Sequence, residues 1–331
     1  MRKHLLITGG AGFIGSALVA ASLARGYRVT VLDKLTYAGH RINLAGMDCT
    51  LVVGDVTDAP AVTKLFAEGD FTHVIHAAAE SHVDNSIAGA APFIRTNIVG
   101  TQVLLDAART AWKGDNTRRF LQVSTDEVYG ALGDKGEFTL DTPLAPNSPY
   151  AASKASADLL VRAWHQTYGL NTVITRCCNN YGPRQHPEKL IPRMITNALA
   201  GEKLPVYGTG QQRREWIHVD DHARGVLLAL ERGRAGHIYH LGSGHELRNL
   251  TLVELLCEQL AAVKPGSDYR ALITHVEDRL GHDYRYALDG ASARAIGFNA
   301  EIPFAQGIDQ TLAWYITHAD WVKTMRYWRG I

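Results

Sequence analysis

Gly9-Gly10-Ala11-Gly12-Phe13-Ile14-Gly15 is the stretch from which the rest of the chain can be read. It follows a short apolar run, His4–Thr8, and opens a helical stretch over 14–24, so the glycines lie at a strand-to-helix turn. At such a turn Gly9 permits a tight reversal, Gly12 lets backbone approach a pyrophosphate, and Gly15 lets helix pack closely on strand. The helix N-terminus adds N–H donors with no partner inside the helix. Glycines also serve ordinary turns, and Asp33 is what sharpens the reading. It stands eighteen residues after Gly15, just past a second apolar run over 29–32. A carboxylate there accepts both ribose hydroxyls and repels a 2′-phosphate, which points to NAD rather than NADP.

Outward from this turn the pattern repeats. Runs over 49–53, 73–77, 120–124 and 172–175 read as strands, and stretches over 59–66, 92–111 and 153–167 read as helices. Strand-helix alternation at this spacing implies right-handed βαβ units, hence an α/β fold with a Rossmann-type doubly wound parallel sheet. After Cys178 the alternation stops, and 179–212 is rich in Pro, Gly and Asn, so the chain is expected to leave the sheet there. A strand-and-helix pattern resumes over 215–230, and Ile238–Leu241 reads as a returning sheet strand. Helices are expected over 252–263 and 304–318. The division predicted is an NAD-binding lobe of residues 1–178 and about 213–242, interleaved with a smaller mixed α/β substrate-binding lobe of about 179–212 and 243–331.

A chain of 331 residues is long enough for two such lobes without disulfide or metal staples. Lys plus Arg (34) against Asp plus Glu (33) leaves a net charge of +1, so no global field recruits nucleic acid or an anionic membrane. No apolar run approaches the ~20 residues of a membrane span, and the N-terminal stretch is expected to be neither a signal peptide nor an anchor. Cys49, Cys177, Cys178 and Cys257 show no Cys-x-x-Cys spacing, and the 15 histidines show no His-Glu-x-x-His. These features predict a reduced cytoplasmic protein without a metal site.

Asp55-Val56 and Ala77-Ala78-Ala79 follow the third and fourth strands, where loops at the carboxyl edge of such a sheet face a ligand. Tyr150 and Lys154 are four residues apart near the start of a helix and share one of its faces. An ammonium near a phenol favours phenolate, so Tyr150 can serve as a base toward a substrate hydroxyl. Tyr-x-x-x-Lys is common by itself; downstream of the glycine turn it gains meaning. With Ser124-Thr125 at the end of the preceding strand, the chain resembles the extended short-chain dehydrogenase/reductase family, in which a Ser or Thr assists the Tyr-x-x-x-Lys tyrosine. Thr125 takes that helper position.

Asp126-Glu127 directly after Thr125 narrows the resemblance to the nucleotide-sugar 4,6-dehydratases. Asp33-Lys34-Leu35-Thr36-Tyr37-Ala38-Gly39, Ala78-Ala79-Glu80-Ser81-His82-Val83-Asp84, Thr96-Asn97-Ile98-Val99-Gly100-Thr101 and Ser148-Pro149-Tyr150-Ala151-Ala152-Ser153-Lys154 are similar to those enzymes. So are Asn179-Asn180-Tyr181-Gly182-Pro183, Pro187-Glu188-Lys189-Leu190-Ile191-Pro192 and Gly281-His282-Asp283, which extends the likeness over nearly the whole chain. The resemblance implies NAD as cofactor and dTDP-glucose as substrate, with oxidation at C4, loss of water across C5–C6 and reduction at C6. Tyr150 would take the C4 hydroxyl proton, Glu127 the C5 proton, and a protonated Asp126 would donate to the departing C6 hydroxyl. Phe13, Ile14, Lys34, Leu35, Thr36, Thr96 and Asn180 are implied cofactor contacts beside the residues already given. Ser81, Thr125 and Asn179 would face the hexose, and Lys189, Leu190, Pro205, Tyr207, Arg214, Asn249, Arg279 and His282 the nucleoside diphosphate.

Asn85, His40 and Leu280 depart from the family pattern, where arginine, asparagine and proline are expected; the last could reshape a nucleotide-contacting loop. A homodimer is also implied, built on the helices over 92–111 and 153–167, the first presenting Ile94, Ile98, Thr101, Leu105 and Ala108 near helical spacing. Two other functions remain open. A nucleotide-sugar 4-epimerase shares everything except a use for Asp126-Glu127, and an NAD-sensing regulator would keep the fold without the chemistry.

Overall fold

The computed structural model describes residues 3–328 and residue 330. Among the described residues twelve strands are formed: β1 (His4–Thr8), β2 (Arg28–Asp33), β3 (Thr50–Val53), β4 (His73–His76), β5 (Arg119–Thr125), β6 (Thr172–Cys177), β7 (Asn179–Tyr181), β8 (Leu204–Tyr207), β9 (Arg213–His218), β10 (Ile238–Leu241), β11 (Glu246–Arg248) and β12 (Ile273–Val276). The principal helices are α1 (Phe13–Ala24), α2 (Ala59–Gly69), α3 (Gly100–Trp112), α4 (Pro149–Tyr168), α5 (Leu190–Ala200), α6 (Val219–Arg232), α7 (Asn249–Val263), α8 (Phe304–Thr317) and α9 (Ala319–Tyr327).

Seven strands form one parallel sheet in the order β3-β2-β1-β4-β5-β6-β10. This is the Rossmann-type doubly wound sheet, and its order reverses between β1 and β4, where such sheets open a ligand crevice. Alternation along each strand feeds two cores. Leu5, Ile7, Val29 and Val31 point to the face covered by α1 and α6, and Leu6, Leu32, Val74 and Phe120 to the face covered by α2, α3 and α4. A third core holds Ile191, Ile195, Trp216, Leu256 and Tyr315 together in the second lobe.

The chain leaves the sheet after Cys177 and returns at β10. Between these, β9 pairs with β7 and β11 in a small sheet, whereas α6, which follows β9 directly, packs on α1. The Pro-rich stretch 179–212 contains a helix that composition concealed. Pro192 falls in the first turn of α5, where a missing N–H breaks no helical bond. Ile191, Met194, Ile195 and Ala198 then follow at helical spacing, all buried. The expected helix over 153–167 begins earlier, because Ser148 caps it by accepting the Ala151 N–H at 3.1 Å with Pro149 in the first turn.

The expected helix over 92–111 is interrupted by a π-helical turn, Ile94–Val99. Its wider turn offsets the faces on either side. Thr101, Leu105 and Ala108 are consequently buried inside the chain's own core, while Ile94 is 52% exposed. The apolar stripe assigned to a partner is therefore largely consumed within the protomer. Asn97, in the π turn, donates to Ser153 Oγ at 2.8 Å and to the Glu80 carbonyl at 3.0 Å, tying that helix to the crevice.

Candidate active site

The glycine turn is built as closely as the fingerprint requires. Gly9 has φ +71°, and a Cβ there would lie 2.7 Å from Ala78 Cα; one on Gly15 would lie 1.9 Å from the Gly9 carbonyl. No side chain caps α1, and its N-terminal residues Gly12, Phe13, Ile14 and Gly15 line the crevice. Asp33 ends β2 with Oδ2 accepting the Ala11 N–H at 2.9 Å and Oδ1 the Leu35 N–H at 2.8 Å. Each oxygen keeps a lone pair for a further donor. Lys34 is ion-paired with Asp55 at 2.7 Å.

One continuous crevice is lined by Gly9, Gly12, Phe13, Ile14, Gly15, Asp33, Lys34, Thr36, Asp55, Val56, Ala77, Ala78, Ala79, Thr96 and Asn180, together with Thr125, Asp126, Glu127, Tyr150 and Lys154. Backbone cradle, ribose acceptor and small residues at 77–79 together fit a dinucleotide. Leu35 is the exception among the expected contacts. Its side chain is 1% exposed in the core, and it serves the site through the N–H given to Asp33.

Ser81, Asn179, Glu127 and Lys189 connect this crevice to a second one, which is also lined by Leu190, Tyr207, Arg214, Asn249, Arg279 and His282. Pro205 shares the strand face of Tyr207 but lies two residues back and lines neither crevice. Arg193, Tyr286 and Asp84 line the second crevice and were not anticipated. Arg193 could have been found from its place one helical turn beyond Lys189.

The reactive groups meet where the crevices join. Tyr150 and Lys154 project from the first turns of α4, and Lys154 Nζ donates to the Val123 carbonyl at 2.7 Å. Burial, then the charges of Glu127, Cys177 and Asp126, push the Tyr150 phenol well above its ordinary value, while a Thr125 hydrogen bond opposes them. The expected bias toward phenolate from Lys154 is thus outweighed in the protein alone. Lys154 is itself drawn down by burial.

Thr125 caps the 3₁₀ turn Asp126–Tyr129, its Oγ accepting the Glu127 N–H at 3.3 Å and donating to Asp126 Oδ1 at 3.2 Å. The turn sends two successive carboxylates into different surroundings. Asp126 is 1% exposed, and its Oδ2 makes no hydrogen bond. Burial and the neighbouring Glu127 and Glu215 charges hold it well above the usual carboxylate range. Glu127 is also raised by burial, but Arg214, Lys189 and Arg279 pull against the rise. Arg214 is fixed by its donation to the Asp283 carbonyl at 2.8 Å and lies 4.2 Å from the Tyr286 ring centre. Of the two carboxyls Asp126 is thus raised further, and Glu127 has three cationic side chains set against its rise.

Residues 5–242 match the model of the NAD dependent epimerase/dehydratase family. The chain belongs to that family. It is 49% identical to a dTDP-glucose 4,6-dehydratase of Xanthomonas campestris pv. campestris (strain B100), over 96% of this chain and 94% of the relative. Among solved structures it is similar to DesIV, a dTDP-glucose 4,6-dehydratase from Streptomyces venezuelae with NAD and dTDP bound. That likeness has a TM-score of 0.91 and 50% identity, and covers 97% of this chain and 99% of the other. A UDP-glucose 4-epimerase from Thermotoga maritima aligns with a TM-score of 0.88 at 27% identity, over 96% of this chain and 99% of the other. The fold alone therefore does not separate dehydration from epimerisation, and the site must.

Proposed function

We propose that this chain is an NAD-dependent hydro-lyase that converts dTDP-glucose to dTDP-4-keto-6-deoxy-glucose. The observation that carries the reading is the division of Asp126 and Glu127 beside Tyr150. An epimerase, which oxidises and re-reduces one sugar carbon, has no use for an acid and a base there; elimination of water needs both.

When bound, NAD supplies a hydride acceptor at the start of the turnover and a hydride donor at its end. Asp33 and the Gly9–Gly15 turn hold its adenosine and pyrophosphate, and Thr125, Tyr150 and Lys154 line the crevice beside the hexose. Tyr150 removes the C4 hydroxyl proton, the rise that burial imposes on it being opposed by its hydrogen bond with Thr125 and, when the cofactor is bound, by the positive charge that the nicotinamide would supply. The C4 ketone acidifies C5–H. Glu127 takes that proton as Asp126 gives its own to the departing C6 hydroxyl, which leaves as water, and Glu127 returns a proton to C5 when hydride is delivered to C6. Ser81 and Asn179 orient the hexose, while Lys189, Arg214 and Arg279 neutralise the diphosphate.

The lobe division over 1–178 and about 213–242, against about 179–212 and 243–331, accompanies this assignment, with the substrate held between the lobes. Pairing into a homodimer would cover Ile94, Val99, Leu159 and Tyr168, which are 42–55% exposed on neighbouring helices; a monomer by light scattering at micromolar concentration contradicts it. A reducing, cytoplasmic location fits four free thiols, three of them buried.

Measuring kcat/KM for dTDP-, UDP-, CDP- and GDP-glucose tests the substrate assignment. UDP-glucose lacks one methyl and should lose about 10–200-fold. CDP-glucose places a donor where thymine has an acceptor, and a purine is larger than the pocket's pyrimidine, so both should fall further. A preference for either would refute dTDP-glucose as substrate.

A further inference from the structure

Asp84, with Glu127, Glu188 and Asp283, presents an acid to a crevice whose walls also gather Lys189, Arg193, Arg214 and Arg279. By charge alone it weakens any diphosphate bound there. Its contacts supply the reason for its presence. Arg279 donates Nε to Asp84 Oδ1 at 2.5 Å and Nη2 to Oδ2 at 3.1 Å, a two-point contact that fixes the guanidinium plane. The Tyr207 hydroxyl donates to the same Oδ2 at 3.2 Å, and Arg279 Cζ lies 5.3 Å from the Tyr207 ring centre.

The three groups come from three separate segments. Asp84 is in the first turn of the short helix Val83–Ala88, beyond β4 of the large sheet. Tyr207 ends β8, and Arg279 lies in the loop after β12. That loop is anchored at its base by Asp278, which accepts from His282 Nδ1 at 2.6 Å and from the Arg279 N–H at 2.8 Å through Oδ1, and from Gln212 Nε2 at 2.8 Å through Oδ2. The far end of the Arg279 side chain is fixed across the cleft by Asp84. Burial disfavours the Asp84 charge, but the Arg279 hydrogen bonds and charge prevail and hold its carboxyl below its ordinary value.

We infer that Asp84 is a positioning residue for the nucleoside diphosphate, orienting the Arg279 guanidinium and the Tyr207 ring before the ligand arrives. The inference rests on the nucleotide-sugar reading above and names what shapes that end of the site. Arg279 spends one edge on Asp84, which leaves Nη1 outside the contact to meet a phosphate oxygen, and Tyr207 is held as a fixed ring. Immobilising each such side chain in advance is worth about 2–10-fold in affinity.

The test compares wild type with Asp84→Asn, Arg279→Lys and the double variant. The readouts are calorimetric binding of dTDP and steady-state turnover of dTDP-glucose, with bound NAD and melting temperature as checks on folding. Asp84→Asn should raise the Kd for dTDP and the KM about 5–100-fold while kcat at saturation stays within about threefold, because no reacting atom is touched. The double variant should bind about 2–10-fold more weakly than Arg279→Lys alone, the share carried by the Tyr207 ring, and less weakly than the product of the two single effects, since the Arg279 share is lost once. A Kd that is unchanged or lower in Asp84→Asn overturns the inference, as does a fall in kcat with KM unchanged, which is what a merely structural tie gives. If Asp84→Asn does not fold, Tyr207→Phe keeps the ring and loses the bond to Asp84; it should raise the Kd about 2–10-fold, and an unchanged value overturns the inference. A wild type that neither binds dTDP nor dehydrates dTDP-glucose refutes the functional reading instead, and is told apart by that result.

Discussion

Tyr150→Phe should lower kcat by about 10²–10⁴-fold and remove the transient absorbance of reduced nicotinamide in a single turnover. The substitution deletes one oxygen and keeps the ring that packs edge-on against Phe93, with ring centres 6.4 Å apart. The buried start of α4 should therefore remain folded. Lys154 bonds to the Val123 carbonyl and does not depend on the phenol for its place. On the proposed assignment what is lost is the proton acceptor for the C4 hydroxyl, and the first oxidation should not begin without it. A variant rate within about threefold of wild type would assign the proton to another group.

Glu127→Gln and Asp126→Asn should each slow product formation by about 10²–10⁴-fold yet leave the first oxidation in place, so that reduced nicotinamide accumulates. They differ at C5. Glu127→Gln removes the base, and exchange of the C5 hydrogen with solvent should stop. Asp126→Asn leaves the base and removes the acid, so exchange should continue while water is retained. Loss of the reduced-nicotinamide transient in all three variants would mean that these groups do not act in separate steps.

Asp126→Asn carries a second consequence. A carboxyl whose native pKa lies above its unfolded value stabilises the fold only where both states are protonated. That contribution is complete below the ordinary value of 3.8 and is lost as pH rises toward the raised native value. The amide does not titrate, so the variant's melting temperature should gain on wild type as pH rises from acid to neutral. A difference in melting temperature that does not change with pH would show that Asp126 is not held protonated.

Much of this site could be read from the chain because its chemistry depends on close sequence spacing. Gly9, Gly12 and Gly15 lie within one turn, Tyr150 and Lys154 within one helical face, and Asp126 and Glu127 are adjacent. The parallel sheet followed from the same local alternation, and β1 and β10 fall on the residues anticipated for them. What escaped was what depends on distant contacts or backbone irregularity. The π turn at Ile94–Val99 redirected an apolar stripe that helical periodicity had assigned to a partner. Pro192 hid α5 because composition does not say where in a helix a proline falls. The unlike surroundings of Asp126 and Glu127 come from Glu215 beside the first and Lys189 and Arg279 beside the second, which are near in space and far in sequence. Asp84 meets Arg279 across 195 residues.

The central claim is a closed redox cycle around an elimination, and one experiment addresses it most directly. Purified protein is incubated with dTDP-glucose deuterated at C4, and the product is analysed by mass and by the position of the label. The account predicts a product lighter by one water, with the deuterium transferred to C6 and no net accumulation of reduced nicotinamide. A product of unchanged composition with the label still at C4 would instead be epimerisation or no reaction, and would contradict the roles given to Asp126 and Glu127.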